Sequence, residues 1–153
     1  MTHYWLMKSE PQECSIDDAL AAPKQTVPWI GVRNYQARNF MRDGMRVGDG
    51  VLFYHSSCAE PGIAGIARVA SKAKPDPTQF DAKSLYFDAN AKPAEPRWML
   101  VDVQAVRKTR LLNLPELRAV PALAEMILLK KGNRLSITPV SAAHWHAIGK
   151  LLK

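Results

Sequence analysis

Apolar residues come along this chain in short bursts, and the spacing inside each burst separates strands from helices. HYWLMK, His3 to Lys8, is aromatic and apolar and stops at Glu10-Pro11, which predicts a first strand. Ser15 precedes IDDALAA, where its hydroxyl can cap a short helix whose first turn carries Asp17 and Asp18 at the end the helix dipole favours for acids. Pro23 and Pro28 bound a loop. After Gly31, NYQARNFMRD opens on a capping Asn34 and repeats Tyr35, Ala37 or Arg38, and Met41 at helical spacing, predicting a helix of about two to three turns. Val51 to Ser56 then leaves the Gly48-Asp49-Gly50 turn as a strand. PGIAGIARVA predicts another, bent or closely approached at Gly62 and Gly65.

Pro75 to Pro96 is rich in Pro and Asp with little periodicity and predicts a long excursion over the surface, a kind of segment that is often functional when ordered. RWMLVDVQAVRKT predicts the longest strand. Asn113 and Glu116 have capping-box spacing ahead of LPELRAV, and PALAEMILLKK predicts a further helix, with Pro121 tolerated in its first turn and Gly132 ending it. RLSITPV alternates as a strand, and Ser141 caps the helix AAHWHAIGKLLK. The expected order is β-α-α-β-β, the excursion, then β-α-α-β-α. That describes a single α+β domain over residues 1–153, built on a small mixed or antiparallel sheet that is either open or closed into a barrel.

Composition narrows the class. A hydrophobic content of 47% with 23% charged residues lies away from the disordered range. Lys and Arg number 21 against 14 acids, a net charge of +7, so the summed field attracts polyanions, although charge alone is a weak pointer to nucleic acid. The first residues lack a basic region followed by an apolar run, and no stretch reaches the roughly 18 apolar residues of a membrane span, so a soluble cytoplasmic protein without a membrane partner is expected. Cys14 and Cys58 lack paired metal spacing and fit a reducing compartment. His144 and His146, two apart on a helix, point to different faces, which is wrong for a chelate. Neither a metal nor a cofactor is expected, and no glycine-rich phosphate loop is present.

Three polar clusters stand at strand ends: Lys8-Ser9-Glu10, His55-Ser56-Ser57-Cys58, and Arg134 to Ser136. Such ends can converge at one rim of a small barrel, where pockets form easily; each can equally be ordinary solvated strand-end chemistry. His55 beside Cys58 offers a thiol-imidazole pair, a weak signal without an oxyanion element. Trp5, Trp98 and Trp145 fall inside periodic elements and read as packing residues. Trp29 follows Pro28 in WIGVRNYQARNF, outside any periodic pattern. It can stack a base, with Asn34 meeting a base edge and Arg33 a phosphate, or it can cover the helix end that Asn34 caps.

The blocks YWLMKSEP from Tyr4, W-x-GVRNYQARNFMR from Trp29, GDGVLFYHSSC from Gly48, PGIAGIARV from Pro61, PDPTQFD from Pro75, PRWMLVDV from Pro96 and RLSITPV from Arg134 together resemble the EVE domain family over nearly the whole chain. The resemblance implies a PUA-like fold, a small distorted mixed β-barrel of five to six strands with flanking helices, related to YTH and ASCH domains. It implies a nucleic-acid-binding module that reads a modified base in DNA or RNA, modified cytosine in DNA being favoured, and without catalytic residues. The positions matching the family's pocket are Lys8, Ser9, Glu10, Trp29, Val32, Asn34, Tyr35, Tyr54, His55, Ser56, Leu135 and Ser136, with Arg33, Arg38 and Arg134 as phosphate contacts. The alternative is an enzyme acting on a nucleobase, nucleoside or RNA, as in ASCH-like relatives, with Lys8, Glu10 and His55 as its proton-transfer groups. An unidentified protein partner is also compatible with a lone EVE domain.

Overall fold

The structure, a computed structural model, describes residues 2–152. Eight strands are present among the described residues: β1 (Tyr4–Ser9), β2 (Thr26–Pro28), β3 (Gly50–His55), β4 (Gly62–Val69), β5 (Lys74–Pro75), β6 (Met99–Leu100), β7 (Asp102–Asn113) and β8 (Ile137–Val140). The helices are α1 (Pro11–Cys14), α2 (Ile16–Ala21), α3 (Tyr35–Asn39), α4 (Leu114–Arg118) and α5 (Ala142–Leu151). Six strands form one mixed sheet in the order β2-β7-β4-β3-β1-β8, and β5 pairs with β6 beside it. The PUA-like α+β architecture is therefore present, with a barrel left open: β2 and β8 are the edges of the ladder among the described residues. None of the described helices is long and apolar enough to cross a membrane.

Why β1 and β3 read as unbroken apolar runs is explained by their place in the middle of the sheet. Along β1, Trp5 and Met7 pack into one core with Trp29, Phe53 and Ile137, while Leu6 packs into a second core with Leu52, Ile63, Leu112 and Leu123. β3 alternates in the same way, Val51 and Phe53 to the first core and Leu52 and Tyr54 to the second. Both faces of the sheet are covered, so the usual alternation of apolar and polar residues is lost. β1 and β3 run parallel with Ser9 opposite His55, and every other pairing is antiparallel.

Local sequence signals act as expected at most helix starts. The Ser15 hydroxyl accepts from the Asp18 amide and the Asp18 carboxylate from the Ser15 amide, and Asn113 with Glu116 repeats the arrangement. Asn34 caps α3 by accepting from the Ala37 amide, and the chain continues as a π-turn over Phe40–Gly44. PALAEMILLKK departs from the expected helix: it forms two 3-10 turns, Pro121–Leu123 and Ile127–Leu129. Leu123, Met126 and Leu128 all enter the second core, and residues spaced three and then two apart cannot share one face of an α-helix. The chain breaks at Met126, in extended ψ of 136°, to satisfy them. The expected long strand is also divided. Val101 lies between β6 and β7, and its carbonyl accepts from the Trp29 amide at 2.9 Å.

Gly62 shows how tightly the sheet closes over itself. A Cβ there would lie 2.5 Å from the Leu112 carbonyl oxygen and 2.7 Å from the Asn113 Cα, both backbone atoms of the neighbouring strand. Gly62→Ala should destabilise the fold by about 3 kcal/mol, because the sheet must shift to admit the methyl group. Gly149→Ala, in α5 with nothing within 4 Å of the new Cβ, should instead stabilise it by about 0.5–1 kcal/mol. Urea unfolding midpoints of the two variants check the pair; similar shifts would show that the contact at Gly62 is not limiting.

Candidate nucleic-acid interface

Because β1 and β3 are parallel, they leave the sheet at the same edge, and the Ser56 amide donates to the Ser9 carbonyl at 3.0 Å just beyond it. A cavity of about 740 Å³ opens there. Its lining comes from Lys8, Ser9 and Glu10 at the exit of β1, Glu13 and Cys14 of α1, Val27 to Arg33 on and after β2, Ser56 and Ser57 after β3, Tyr86 of the long excursion, and Arg134 and Ser136 ahead of β8.

Two aromatic side chains shape it. Trp29 is only 7% exposed and meets Phe53 edge to face at 5.3 Å, so it is both a cavity wall and a part of the first core. Tyr86 lies across Gly31, whose φ of +82° is left-handed; a Cβ at Gly31 would stand 2.6 Å from the Tyr86 ring. The Tyr86 hydroxyl donates to the Glu13 carboxylate, at 2.6 Å from Oε1, which ties the excursion to α1. Burial first, and this hydrogen bond second, push the Tyr86 phenol up to about 12, so it stays protonated at neutral pH and remains a donor.

Asp76 holds this wall together. Fully buried, it accepts from the Gly31 amide at 2.8 Å, the Arg33 guanidinium at 3.1 Å, and the Thr78 amide and hydroxyl at 2.8 and 2.5 Å. Arg33 also donates to the Tyr86 carbonyl at 2.7 Å and to the Thr78 hydroxyl at 3.0 Å. The excursion is thus an ordered strap. Gln79, also fully buried, staples its two ends, with Nε2 donating to the Asp76 and Trp98 carbonyls and Oε1 accepting from the Arg97 and Trp98 amides.

Charges of both signs line the opening. Lys8 and Arg134 form no ion pair among the described residues, and they share the lining with the carboxylates of Glu10 and of Glu13, the latter accepting from Tyr86. Burial draws the Lys8 ammonium below the usual lysine range, which means its charge is poorly solvated and gains from an approaching anion. The Ser9 hydroxyl donates to the Cys14 carbonyl at 2.6 Å and so keeps only acceptor capacity for a ligand.

The structure brings Lys8, Ser9, Glu10, Trp29, Val32, Arg33, Ser56, Arg134 and Ser136 to one cavity. It does not bring the remaining expected residues there. Asn34 spends its carbonyl oxygen on the α3 cap, at 3.0 Å from the Ala37 amide. Tyr35 and Arg38 line a separate groove. Tyr54 is buried in the second core, where burial raises its phenol. His55 accepts from the Ile16 amide through Nε2 at 3.1 Å, and burial lowers its pKa, so its neutral form belongs to the start of α2; Leu135 is half-buried outside the lining. Arg33 lines the cavity but is committed to Asp76, Thr78 and Tyr86, which makes it a structural brace within the wall. Sequence reasoning missed Tyr86 and Glu13. The available signal was a lone tyrosine in a polar excursion together with a glycine following Trp29-Ile30, and nothing linear connects the two.

An α+β sheet domain whose polar, aromatic-walled cavity opens at strand ends is the form of a ligand-capturing module. The EVE domain family model matches residues 3–151, and the chain belongs to that family. Thymocyte nuclear protein 1 of Homo sapiens is 43% identical over 159 residues, covering 92% of this chain and 70% of the human protein. A crystal structure from Pseudomonas putida shares 49% identity at a TM-score of 0.93, covering 98% of this chain and 99% of that one. The human THYN1 protein in complex with 5-methylcytosine-containing DNA shares 40% identity at a TM-score of 0.94, covering 99% of this chain and 98% of that one.

Proposed function

We propose that this chain binds DNA and captures a modified base, 5-methylcytosine, in the cavity between Trp29 and Tyr86. The observation that carries the reading is the cavity itself: an indole wall beside four serines, with Lys8 and Arg134, which form no ion pair among the described residues, at its rim. Its volume, about 740 Å³, falls inside the range of about 300–1,000 Å³ that holds small ligands. The likeness to the human THYN1 protein, solved with 5-methylcytosine-containing DNA, supports the choice of polymer and base.

Extruding a base from a duplex costs a few kcal/mol of stacking and pairing, and the Trp29 and Tyr86 walls replace part of that. Ser56 and Ser136 have hydroxyls to meet the base edge, and Lys8 with Arg134 stands where phosphates pass. A single methyl group in an apolar niche distinguishes ligands by about 1–3 kcal/mol, so discrimination should be modest.

Fluorescence polarisation against matched DNA and RNA oligonucleotides tests the reading. The panel carries plain, 5-methyl and 5-hydroxymethyl cytosine and N6-methyladenine, at two salt concentrations. We expect 5-methylcytosine DNA to bind several-fold tighter than its plain twin, with affinity falling steeply as salt rises. Equal binding of all members would leave only non-specific attraction by the +7 charge and overturn the proposal.

A further inference from the structure

A second groove, of about 520 Å³, lies beside the first and is lined by Tyr35, Arg38, Asn90, Lys92, Glu95 and Arg97. The two sites share one tryptophan. Arg33 of the cavity wall stands 5.5 Å from the Trp98 ring, and Tyr35 stacks on that same ring at 4.9 Å with 25° between planes. Trp98 is itself buried and fixed by a 2.8 Å hydrogen bond from its Nε1 to Asp88, so Tyr35 rests on a rigid support.

Tyr35 is 53% exposed, unusual for an aromatic ring already stacked on another. The Arg38 guanidinium is 4.8 Å from the Tyr35 ring and 6.0 Å from Trp98. Were it on the outer face of Tyr35, its distance from Trp98 would approach the sum of the two spacings; it is therefore beside the stack, and the outer face is open. Arg38 donates only to neutral acceptors, the Asn39 side-chain oxygen at 2.8 Å and the Arg97 carbonyl at 2.9 Å. Lys92 has no ion pair among the described residues, and Arg97 reaches Asp88 at 3.4 Å. Arg38 and Lys92 are thus the two lining cations without an ion pair among the described residues, beside one lining carboxylate, Glu95, and an open aromatic face.

An open ring flanked by uncompensated cations is the arrangement that holds a nucleotide, with the base stacked and the phosphate paired. The short path through Trp98 puts this platform within a few base steps of the cavity, given a rise of about 3.4 Å per nucleotide along a strand. Resting on the reading of the cavity as a DNA-base site, we infer that the groove binds a nucleotide flanking the captured base. Its base stacks on Tyr35 and its phosphate is held by Arg38 and Lys92.

The test uses the full chain and a duplex bearing one 5-methylcytosine beside its unmodified twin. Tyr35→Ala should weaken binding of both duplexes about tenfold, the loss of one stacked base, while their affinity ratio stays within about twofold of wild type. Tyr35→Phe, which keeps the ring, should bind as wild type. Arg38→Gln should lower the slope of log affinity against log salt by about one, the loss of one phosphate contact. Wild-type affinity in Tyr35→Ala, with its melting temperature preserved, would overturn the groove while leaving the cavity reading intact. A changed ratio at unchanged overall affinity would place Tyr35 in the cavity's own machinery and also overturn it. If wild type fails to distinguish the two duplexes, the cavity reading falls and this inference falls with it.

Discussion

Asp76→Ala should lower the stability of the protein by about 3 kcal/mol and the melting temperature by on the order of 10 °C. The substitution strands four donors at once: the Gly31 amide, the Arg33 guanidinium, and the amide and hydroxyl of Thr78. Arg33 is 22% exposed at its side chain and Asp76 not at all, so the guanidinium would be left partly buried without its carboxylate. Asp76→Asn keeps one oxygen acceptor and should cost less. The binding consequence is larger than for an ordinary core lesion. Tyr86 is held in place through Arg33 and Gly31, so the cavity loses a wall, and 5-methylcytosine DNA should bind with the weak affinity of its plain twin. Thermal unfolding and polarisation on the same samples check both effects. A loss below about 1 kcal/mol would show that water replaces Asp76 at little cost.

Trp29→Ala should cost about 3–5 kcal/mol, since the indole is buried against Phe53 and the deletion leaves a void in the first core. The same substitution removes a cavity wall, so loss of binding in this variant alone mixes ligand contact with unfolding. Trp29→Phe separates them. It keeps an aromatic face and most of the packing, and should reduce the preference for the modified base without abolishing the fold. Ser136→Ala supplies a second reading, because its hydroxyl lies in the cavity lining rather than in the core, and its effect should appear in affinity and hardly at all in melting temperature. If Trp29→Phe and Ser136→Ala both retain the full preference for the methylated duplex, the cavity is not where the base sits.

Much of this was legible in the linear chain, and the reasons differ by element. Ser15, Asn34, Asn113 and Ser141 announced their helices because capping is local chemistry between residues two or three apart. The clusters at Lys8 to Glu10 and Ser56 were visible as polar ends of apolar runs, and they meet because β1 and β3 are parallel neighbours. Asn34 stands outside the cavity lining for the same reason that its helix was found: its side chain is held at the start of α3, with its oxygen accepting from the Ala37 amide. Tyr54 and His55 follow an apolar run whose second face is buried, a fact that depends on helices arriving from distant parts of the chain. PALAEMILLKK has helical composition, but the geometry of its core contacts overrode propensity. Tyr86 was beyond reach because its role depends on Asp76 and Gln79 folding an irregular segment back onto Gly31.

One parallel pair in an otherwise antiparallel sheet has an evolutionary consequence. Ser9 and Ser56 leave the scaffold side by side although nearly fifty positions separate them, and each begins a connection that turns away from the strands. Substitutions at the rim positions Ser9, Glu10, Ser56 and Ser57 can reshape what the cavity accepts without touching the strand ladder or either core. The rim serines can therefore change with little effect on the fold, whereas Trp29 and Asp76, which serve wall and fold together, are held fixed by both demands.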